Sequence, residues 1–560
     1  MDYKILLETS DEGKPIYIYE DSYGKIPLNS LYSPRKEAER FIRKVETTQK
    51  KLLIIIGAGN GEVIKTILDK RFENSQAAIY FIEPLQNIKI DKELSKRISD
   101  NNKVSLFYLE NLNSPRLSKV FSSFSGVPTE ILIHPNYNKI NQSYIKETLA
   151  LINESLITKQ IMANTETKFA IDWLVEPLLN FKNIIQSNNL VNLKGKFSGE
   201  RAILIAAGPS LKENVPFLKE RQTDSYLFSV GSALKFLLSN DISPDYVLSL
   251  DTSETNYEAH FSGTEFEGSL IYETMSNSKI QNTHKGNLIV SRSLDDFITN
   301  KYYPELIAFR YSSPSVAVYT LQVIAYLGFK EIYLVGQDLA LVGGRYYAKG
   351  VTEHTGSQGL QDELFVEDNS GGKVGTTRPL KIFLDSFESL IEFLSEDIVI
   401  YNISAKGAKI KGTHFIETRD IKSWKRNEVC IEERKVSGRL MPDEAIDSFI
   451  NDLKKLKNDV EKAKSKLETL ILVNAMNKND MVKVVKEFRK VSKNSILEEV
   501  IMSRMTFAFD QVINKFKYLE EKDAYKSDDL LAMCRDLMDF YSLIYSLVEK
   551  VLTDQRISGN

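Results

Sequence analysis

A short apolar run that turns into a helical segment is the first feature of the chain suited to chemistry. The run Leu204–Ala207 breaks at Gly208, and Pro209 opens the segment that follows. Glycine takes backbone angles closed to other residues, and proline suits a first helical turn, where an N–H has no intrahelical partner. The open N–H groups of Gly208, Ser210 and Leu211, with the helix dipole, attract an anion. The turn therefore predicts a seat for a nucleotide phosphate, with an ordinary strand-to-helix turn as the alternative.

A second polar edge follows further along the chain. The hydroxyl-rich loop Tyr311–Ser315 precedes an apolar helical stretch, and the apolar run Phe329–Val335 follows it as a buried strand. In an open α/β sheet, ligands bind beyond the carboxyl ends of the strands, where Gly336, Gln337 and Asp338 would lie. This order predicts that the three residues belong to the ligand-binding edge of the sheet.

The two patterns together resemble bacterial sialyltransferases, and more closely the motility accessory factor (Maf) family of flagellin glycosyltransferases. Two further segments are similar to the second and third strands of the Maf catalytic domain, Tyr226–Leu234 and Pro244–Asp251. Two others, Ile131–Asn136 and Asn164–Asn183, are similar to the region that precedes that domain. The resemblance covers about residues 130 to 415, and the order of the pieces is more specific than any one of them.

The resemblance implies transfer of a nonulosonic acid from its cytidine monophosphate (CMP) ester to a serine or threonine of flagellin. Sialic, legionaminic and pseudaminic acids all fit this description, and the sequence does not distinguish them. In the sialyltransferases a tyrosine in a Gly-x-x-Tyr-Ala setting touches the leaving phosphate, and Tyr347 matches it best. The residues expected to bind the nucleotide sugar are Gly208, Pro209, Ser210, Leu211, Gly231, Ser232, Asp251, Ser313, Ser315, Gly336, Gln337 and Tyr347.

The base that removes the acceptor proton departs from the family pattern. The sialyltransferases keep a histidine on the segment after this tyrosine, but Gly371–Thr377 contains none. His354 is the nearby imidazole, with a surface histidine on a loop as the alternative. Strand-end carboxylates are the other candidates. The catalytic candidates are therefore Glu273 and Asp338, followed by His354.

Composition limits the class of protein and its partners. A chain of 560 residues exceeds one core, and a net charge of −3 gives no basic footprint for nucleic acid. Two cysteines, Cys430 and Cys534, do not make a disulfide framework. With no signal peptide and no long apolar span, we expect a cytoplasmic protein without membrane insertion. Five scattered histidines and the lack of a strand-end Asp-x-Asp motif predict that no metal or other cofactor is required.

Changes in composition divide the chain into three predicted domains. Residues 1–160 read as a small cap of strands followed by a Rossmann-like domain, and residues 161–430 as a sialyltransferase-like α/β catalytic domain. After Pro442 glycine and proline nearly vanish and apolar residues recur at helical spacing, which predicts an α-helical domain over residues 431–560. We expect this last domain to help hold flagellin.

Two alternatives remain open from the sequence. The apolar run Leu52–Ile56 leads into Gly57, Gly59 and Gly61, and the next strand ends at Glu83. This is the layout of an S-adenosylmethionine or dinucleotide site, so a methyltransferase is the rival enzyme class. The other alternative is a non-catalytic scaffold that binds flagellin, since the histidine expected from the family is missing.

Overall fold

The computed structural model shows a mixed α/β protein, as the sequence predicts. It describes residues 3–45, 51–69, 77–125, 127–311, 313–351, 364–429, 434–472, 478–504, 506, 509–510 and 527–558. The chain divides into two compact units. Unit 1 comprises Met1–Asn164, Lys466–Lys486 and Met505–Phe540, and unit 2 comprises Thr165–Ser465, Glu487–Arg504 and Tyr541–Asn560.

Unit 1 begins with a three-stranded antiparallel sheet and continues with a four-stranded parallel sheet. The strands are β1 (Tyr3–Thr9), β2 (Pro15–Asp21), β3 (Gly24–Pro27), β4 (Leu52–Ile56), β5 (Ala78–Glu83), β6 (Val104–Tyr108) and β7 (Thr129–Ile133). The helices are α1 (Pro34–Ile42), α2 (Glu62–Asp69), α3 (Lys92–Ser99), α4 (Ser114–Ser122) and α5 (Gln142–Phe169), whose last residues belong to unit 2.

The parallel sheet of unit 1 has the order β6-β5-β4-β7. Strand β4 is buried along its whole length, because helices cover both faces of a parallel sheet and leave no solvated side. The predicted cap of short strands and the helix that begins at Pro34 are both present. The Rossmann-like fold predicted for this region is confirmed.

Unit 2 is built on a nine-stranded sheet with the order β18-β17-β14-β9-β10-β11-β12-β13-β8, and every pairing is parallel. Its strands are β8 (Asn188–Asn189), β9 (Arg201–Ile205), β10 (Tyr226–Val230), β11 (Tyr246–Ser249), β12 (Ser269–Glu273), β13 (Leu288–Ser291), β14 (Glu331–Val335), β17 (Val399–Asn402) and β18 (His414–Phe415). A separate hairpin consists of β15 (Leu364–Glu367) and β16 (Lys373–Thr376).

Helices connect the strands of this sheet. They are α6 (Asp172–Leu179), α7 (Phe181–Gln186), α8 (Val215–Arg221), α9 (Gly231–Leu238), α10 (Glu254–Asn256), α11 (Ser278–Thr283), α12 (Phe297–Tyr302), α13 (Val316–Leu327) and α14 (Arg378–Phe393). The chain lays down β9 to β13 in succession and then crosses to the other side of β9 for β14. The topological switch point therefore lies between β9 and β14, where open α/β sheets bind ligands.

The C-terminal part of the chain is helical, as predicted. Its helices are α15 (Pro442–Leu472), α16 (Lys478–Ser492), α17 (Met502–Arg504), α18 (Ser527–Leu552) and α19 (Gln555–Ser558). Helices α15, α16 and α18 each have residues in both units. The domain boundaries after residues 160 and 430 stay predictions. Within the described ranges, no helix is both long and apolar enough to cross a lipid bilayer.

Candidate active site

The turn after β9 departs from the predicted backbone geometry. Gly208 has a φ of −63° and a ψ of 165°, which any residue adopts, so the expected special backbone angles are wrong. Glycine is required for a different reason. A Cβ at this position would clash with the carbonyl oxygen of Gly336 and lie 2.5 Å from Oδ2 of Asp338. The turn needs glycine because two neighbouring loops approach it closely.

The N–H groups of this turn already have acceptors within the protein. Gly208 donates to the carbonyl of Gly336 at 2.8 Å, and Leu211 donates to the carbonyl of Gly208 at 3.0 Å. Ser210 donates to Oδ2 of Asp338 at 2.7 Å. Pro209 has no N–H and opens a six-residue 3-10 helix, as the sequence predicts for its position. The prediction of open backbone donors is therefore wrong in this structure, because the Asp338 carboxyl takes the position expected for the phosphate.

Asp338 follows β14 and joins three loops at the switch point. Its carboxyl accepts from the Ser210 N–H and from the Ser404 hydroxyl, and Ser404 follows β17. The side chain is 1% exposed, and burial raises its pKa. A base must reach the acceptor proton. Asp338 is enclosed and both of its oxygens are bonded, so the carboxyl holds the three loops together. Its role as the base stays a prediction.

Two residues beside Asp338 shape the same edge. Gly336 has a φ of 68°, so its glycine is required by the backbone, and a Cβ there would clash with the carbonyl of Ala206. Gln337 is buried, and its Oε1 has no hydrogen-bond donor among the described residues. Buried polar atoms in folded proteins are nearly always hydrogen-bonded. Gln337 thus offers an acceptor to a ligand at the switch point.

Tyr347 is carried to the same edge by its neighbour. The Ala348 N–H donates to the carbonyl of Ala207 at 2.9 Å, which fixes this segment to the end of β9. The Tyr347 ring is half-buried and meets the Tyr346 ring edge-on, with centroids 4.7 Å apart. The tyrosine expected at the leaving phosphate is therefore beside the glycine turn, and its contact with phosphate stays a prediction.

The loops after β10 and β11 place three more predicted residues at the carboxyl edge. Gly231 begins α9, and a Cβ there would lie 2.5 Å from the Phe261 ring, so glycine is needed for packing. Ser232 follows in the first turn of α9 and is half-buried. Asp251 is exposed, and its Oδ1 accepts from the Ser253 N–H at 2.7 Å. Ser232 and Asp251 are the most accessible side chains of this part of the predicted site.

Both predicted hydroxyls before α13 have structural partners. Ser315 caps the helix by accepting from the Val318 N–H at 3.4 Å, and Ser313 accepts from Nε2 of Gln322 at 2.6 Å. Each hydroxyl keeps its proton available as a donor, because both bonds use the oxygen as acceptor. Binding of the nucleotide by these serines stays a prediction. His354, the third catalytic candidate, lies outside the described residues.

Glu273 ends β12 in a buried, charged environment. Its side chain is 5% exposed, and burial raises its pKa to about 8, with a further contribution from the negative charges of Asp296 and Asp295. Ser293 and Arg292 oppose this rise. A carboxyl with such a pKa is mostly protonated at neutral pH, and only its ionised fraction, which grows as the pH rises towards 8, can accept a proton. Its role as the base stays a prediction.

The neighbours of Glu273 include residues that the sequence reasoning missed. Arg292, Asp295 and Asp296 follow β13, the strand beside β12, and the strand-end rule that selected Glu273 would have found them. Tyr319 is one turn into α13, and its hydroxyl lies 2.7 Å from the Ser291 hydroxyl, next to Glu273 in the sheet. No signal in the sequence indicated Tyr319.

The glycine-rich turn of unit 1 has the backbone expected of a nucleotide site. Gly57, Gly59 and Gly61 have φ values of 99°, 54° and 83°, so all three positions favour glycine. Glu83, at the end of the neighbouring strand, is 1% exposed. Its Oε2 accepts from the Ala58 N–H at 2.8 Å and from the Gly59 N–H at 3.3 Å. The acid therefore binds the turn itself.

Two further side chains complete the closure of this turn. The Tyr137 hydroxyl donates to Glu83 at 2.6 Å and accepts from the Gly59 N–H at 3.0 Å. Asn29 accepts from the Asn60 N–H at 2.9 Å. Burial raises the pKa of Glu83 to about 7, and the Tyr137 bond lowers it. Because these side chains take the donors that would meet a cofactor, the structure does not support the methyltransferase alternative.

The described residues contain no group of three His, Cys, Asp or Glu side chains arranged to hold a metal ion. The predicted independence from metal and cofactor stays a prediction.

Comparison with known proteins agrees with this architecture. A family model described as MptE-like, 6-hydroxymethylpterin diphosphokinase MptE-like, matches residues 176–344. The structure of a Maf glycosyltransferase from Magnetospirillum magneticum AMB-1 matches with a TM-score of 0.52 and 11% sequence identity, over 99% of this chain and 94% of that one. No curated protein matches the sequence. The resemblance to Maf inferred from sequence motifs is thus confirmed at the level of the fold, over almost the full length of both chains.

Proposed function

We propose that this chain is a glycosyltransferase of the Maf type. It transfers a nonulosonic acid from its CMP ester to serine or threonine hydroxyls of flagellin, and flagellar assembly depends on the product. The observation that carries the proposal is the full-length similarity of fold to a Maf glycosyltransferase. The polar groups at the carboxyl edge of the nine-stranded sheet support it, since enzymes of this fold act at that edge.

The donor phosphate in this proposal is bound by side chains. The N–H groups of the Gly208 turn are bonded within the protein, so they do not meet it directly. The Tyr347 phenol and the hydroxyls of Ser232 and Ser313 donate hydrogen bonds to the phosphate instead. Gln337 accepts a hydrogen bond from the CMP sugar. Hydroxyl and phenol donors stabilise the negative charge that grows on the leaving phosphate.

The transfer step places Glu273 at the acceptor. The acceptor oxygen bonds to the anomeric carbon of the sugar while the bond from that carbon to the phosphate oxygen breaks. The acceptor proton passes to the Glu273 carboxylate, and CMP leaves with the electron pair of the broken bond. Only the ionised fraction of this carboxyl takes the proton, so with a pKa of about 8 the transfer rate should rise as the pH increases through 8.

Mass spectrometry of flagellin incubated with the purified protein and CMP-activated nonulosonic acids tests the proposal. Wild-type protein should add the mass of one or more sugar residues, and Glu273→Gln should reduce the rate about 10²–10⁴-fold. The exposed Glu267→Gln is the matched control and should retain the wild-type rate. Unmodified flagellin with every CMP sugar, in the presence of folded protein, would reject the donor and acceptor assignments.

The family model favours a second candidate function. It matches residues 176–344, which include the Gly208 turn and the loop of Asp338, and it is described by a diphosphokinase activity. Calorimetry with CMP and with ATP separates the two candidates. Binding of CMP alone supports glycosyl transfer, whereas binding of ATP together with release of AMP in the presence of 6-hydroxymethylpterin supports diphosphate transfer.

A further inference from the structure

Arg504, at the end of α17, is a buried arginine contributed by the C-terminal helices to unit 2. Its side chain is 6% exposed. Nη2 donates to the backbone carbonyl of Asp295 and lies 3.1 Å from Sδ of Met275. The guanidinium carbon is 5.8 Å from the centre of the Trp173 ring. The side chain is thus held from three sides, next to the loops that follow β12 and β13.

The charge of Arg504 is balanced by acids at the carboxyl edge of the sheet. Burial lowers its pKa, while the negative charges of four nearby acids raise it, namely Asp296, Asp295, Glu166 and Glu273. A buried charge is costly unless nearby groups compensate for it. Electrostatic attraction to the nearby acids and two hydrogen bonds therefore hold the Arg504 side chain in place.

The loop that contains Met275 also fixes two candidate site residues. Within it, the Ser276 N–H donates to the carbonyl of Glu273 at 2.8 Å, and the Asn277 N–H donates to the carbonyl of Asp251 at 3.0 Å. The loop Thr274–Asn277 therefore joins the carboxyl ends of β11 and β12. Any displacement of this loop moves Asp251 and Glu273 together.

A second arginine from the C-terminal helices holds the far end of this loop. Nη1 of Arg556 donates to Oε1 of Glu176 at 3.1 Å. The other carboxylate oxygen of Glu176 accepts from the Ser278 N–H at 2.7 Å, at the start of α11. The segment from Thr274 to Ser278 is thus held near its middle by Arg504 and, through Glu176, at its end by Arg556.

We propose that Arg504 is a positioning residue, which fixes the Thr274–Asn277 loop and so sets the position of Glu273 and Asp251 at the carboxyl edge. The effect on transfer rests on the glycosyltransferase function proposed above, whereas the effect on the loop does not. The C-terminal helices accordingly have a part in the active site as well as any part in holding flagellin.

The charged groups around Glu273 determine how its ionisation responds to loss of Arg504. Asp295 and Asp296 raise the pKa of Glu273, and the positive charges of Arg292 and Arg504 oppose this effect. The nearby Tyr319 phenol is neutral. Removing one cation raises the pKa of Glu273, since a nearby positive charge stabilises the carboxylate. If Glu273 acts as the base, the acidic limb of the pH–rate profile moves to higher pH.

The test compares Arg504→Gln, Arg504→Lys and the control Arg535→Gln, which changes an exposed arginine on α18. Hydrogen exchange measured by mass spectrometry follows the amides of residues 273–278, and kinetics give kcat/KM as a function of pH. We expect faster exchange in both Arg504 variants and a fall of about 10²-fold in kcat/KM, since small displacements of catalytic groups cost this much. The pH shift should occur only in Arg504→Gln, because lysine keeps the charge.

Each outcome decides a separate point. Wild-type exchange in residues 273–278 of both Arg504 variants would overturn the proposal. Faster exchange in the Arg504 variants, together with no transfer activity in the wild-type protein, would support the positioning contact and reject the glycosyltransferase function. If Arg504→Gln does not fold, exchange and kinetics of Arg504→Lys carry the test, and wild-type values there would overturn the proposal.

Discussion

Glu273 titrates in a range where its burial affects the stability of the fold. Below pH 4.5, its ordinary pKa, the side chain is protonated in the folded and unfolded chain, and its ionisation costs nothing. Between pH 4.5 and about 8 the unfolded chain ionises while the folded chain stays protonated, so the wild type loses stability as pH rises. Above pH 8 the loss is constant.

Glu273→Gln should therefore be more stable than the wild type at pH 8 and similar to it at pH 4, because glutamine does not titrate. Thermal melts at a series of pH values measure the difference in Tm. The exposed Glu267→Gln should follow the wild-type curve. A Tm difference between wild type and Glu273→Gln that does not change with pH would show that the carboxyl is not held protonated by burial.

Asp338 should behave differently from Glu273, because its carboxylate is an acceptor for two loops. Asparagine offers one oxygen, so Asp338→Asn leaves either the Ser210 N–H or the Ser404 hydroxyl without an acceptor. A buried donor without a partner costs about 1–3 kcal/mol. Chemical denaturation should show this loss, and Asp420→Asn, an exposed carboxylate in the same unit, should show none. Full stability of Asp338→Asn would contradict the structural role.

At the scale of elements, the order and type of the strands and helices were predictable from the sequence. Whether each glycine turn binds a nucleotide or is closed by a carboxylate of the protein was not. An apolar run, a glycine turn and a strand-end acid describe equally a site that binds nucleotide and a turn closed by its own carboxylate. Glu83 closes the first turn and Asp338 closes the second. The direction of each acid depends on packing around residues far along the chain, such as Tyr137 and Ser404, and periodicity carries no such information.

Closure of the unit 1 turn makes two expectations testable. We expect no binding of S-adenosylmethionine in calorimetry, because the turn's N–H groups have acceptors.

We also expect Tyr137→Phe to lower the free energy of unfolding by about 1–3 kcal/mol, since Glu83 loses a buried donor. The loss should grow above the pKa of Glu83, as the hydroxyl stabilises its charged form. Tyr23→Phe, at an exposed tyrosine, is the control, and an equal effect in both variants would reject the closure.

At the scale of the whole molecule, the helices after residue 440 are part of unit 2 as well as of unit 1. A protein truncated after residue 440 lacks Arg504 and Arg556, and it leaves Glu176 buried without its cation. We expect it to lose cooperative unfolding in circular dichroism, because unit 2 loses the Arg556 contacts to Glu176 and Asp172 and the Arg504 contact to the Asp295 carbonyl. A truncated protein that melts cooperatively and binds CMP like the full chain would show that the C-terminal helices are dispensable for the site.

The contact between Arg556 and Asp172 also has a consequence for synthesis of the protein. The two residues pair at 2.9 Å although 384 positions separate them. The four-stranded parallel sheet of unit 1 lies within Leu52–Ile133, and all its strands emerge from the ribosome early. Because translation proceeds from the N-terminus, the fold of unit 2 is complete only after Arg556 has been made, 384 positions after Asp172. A ribosome that has not yet released Arg556 therefore holds a finished unit 1 sheet and an incomplete unit 2.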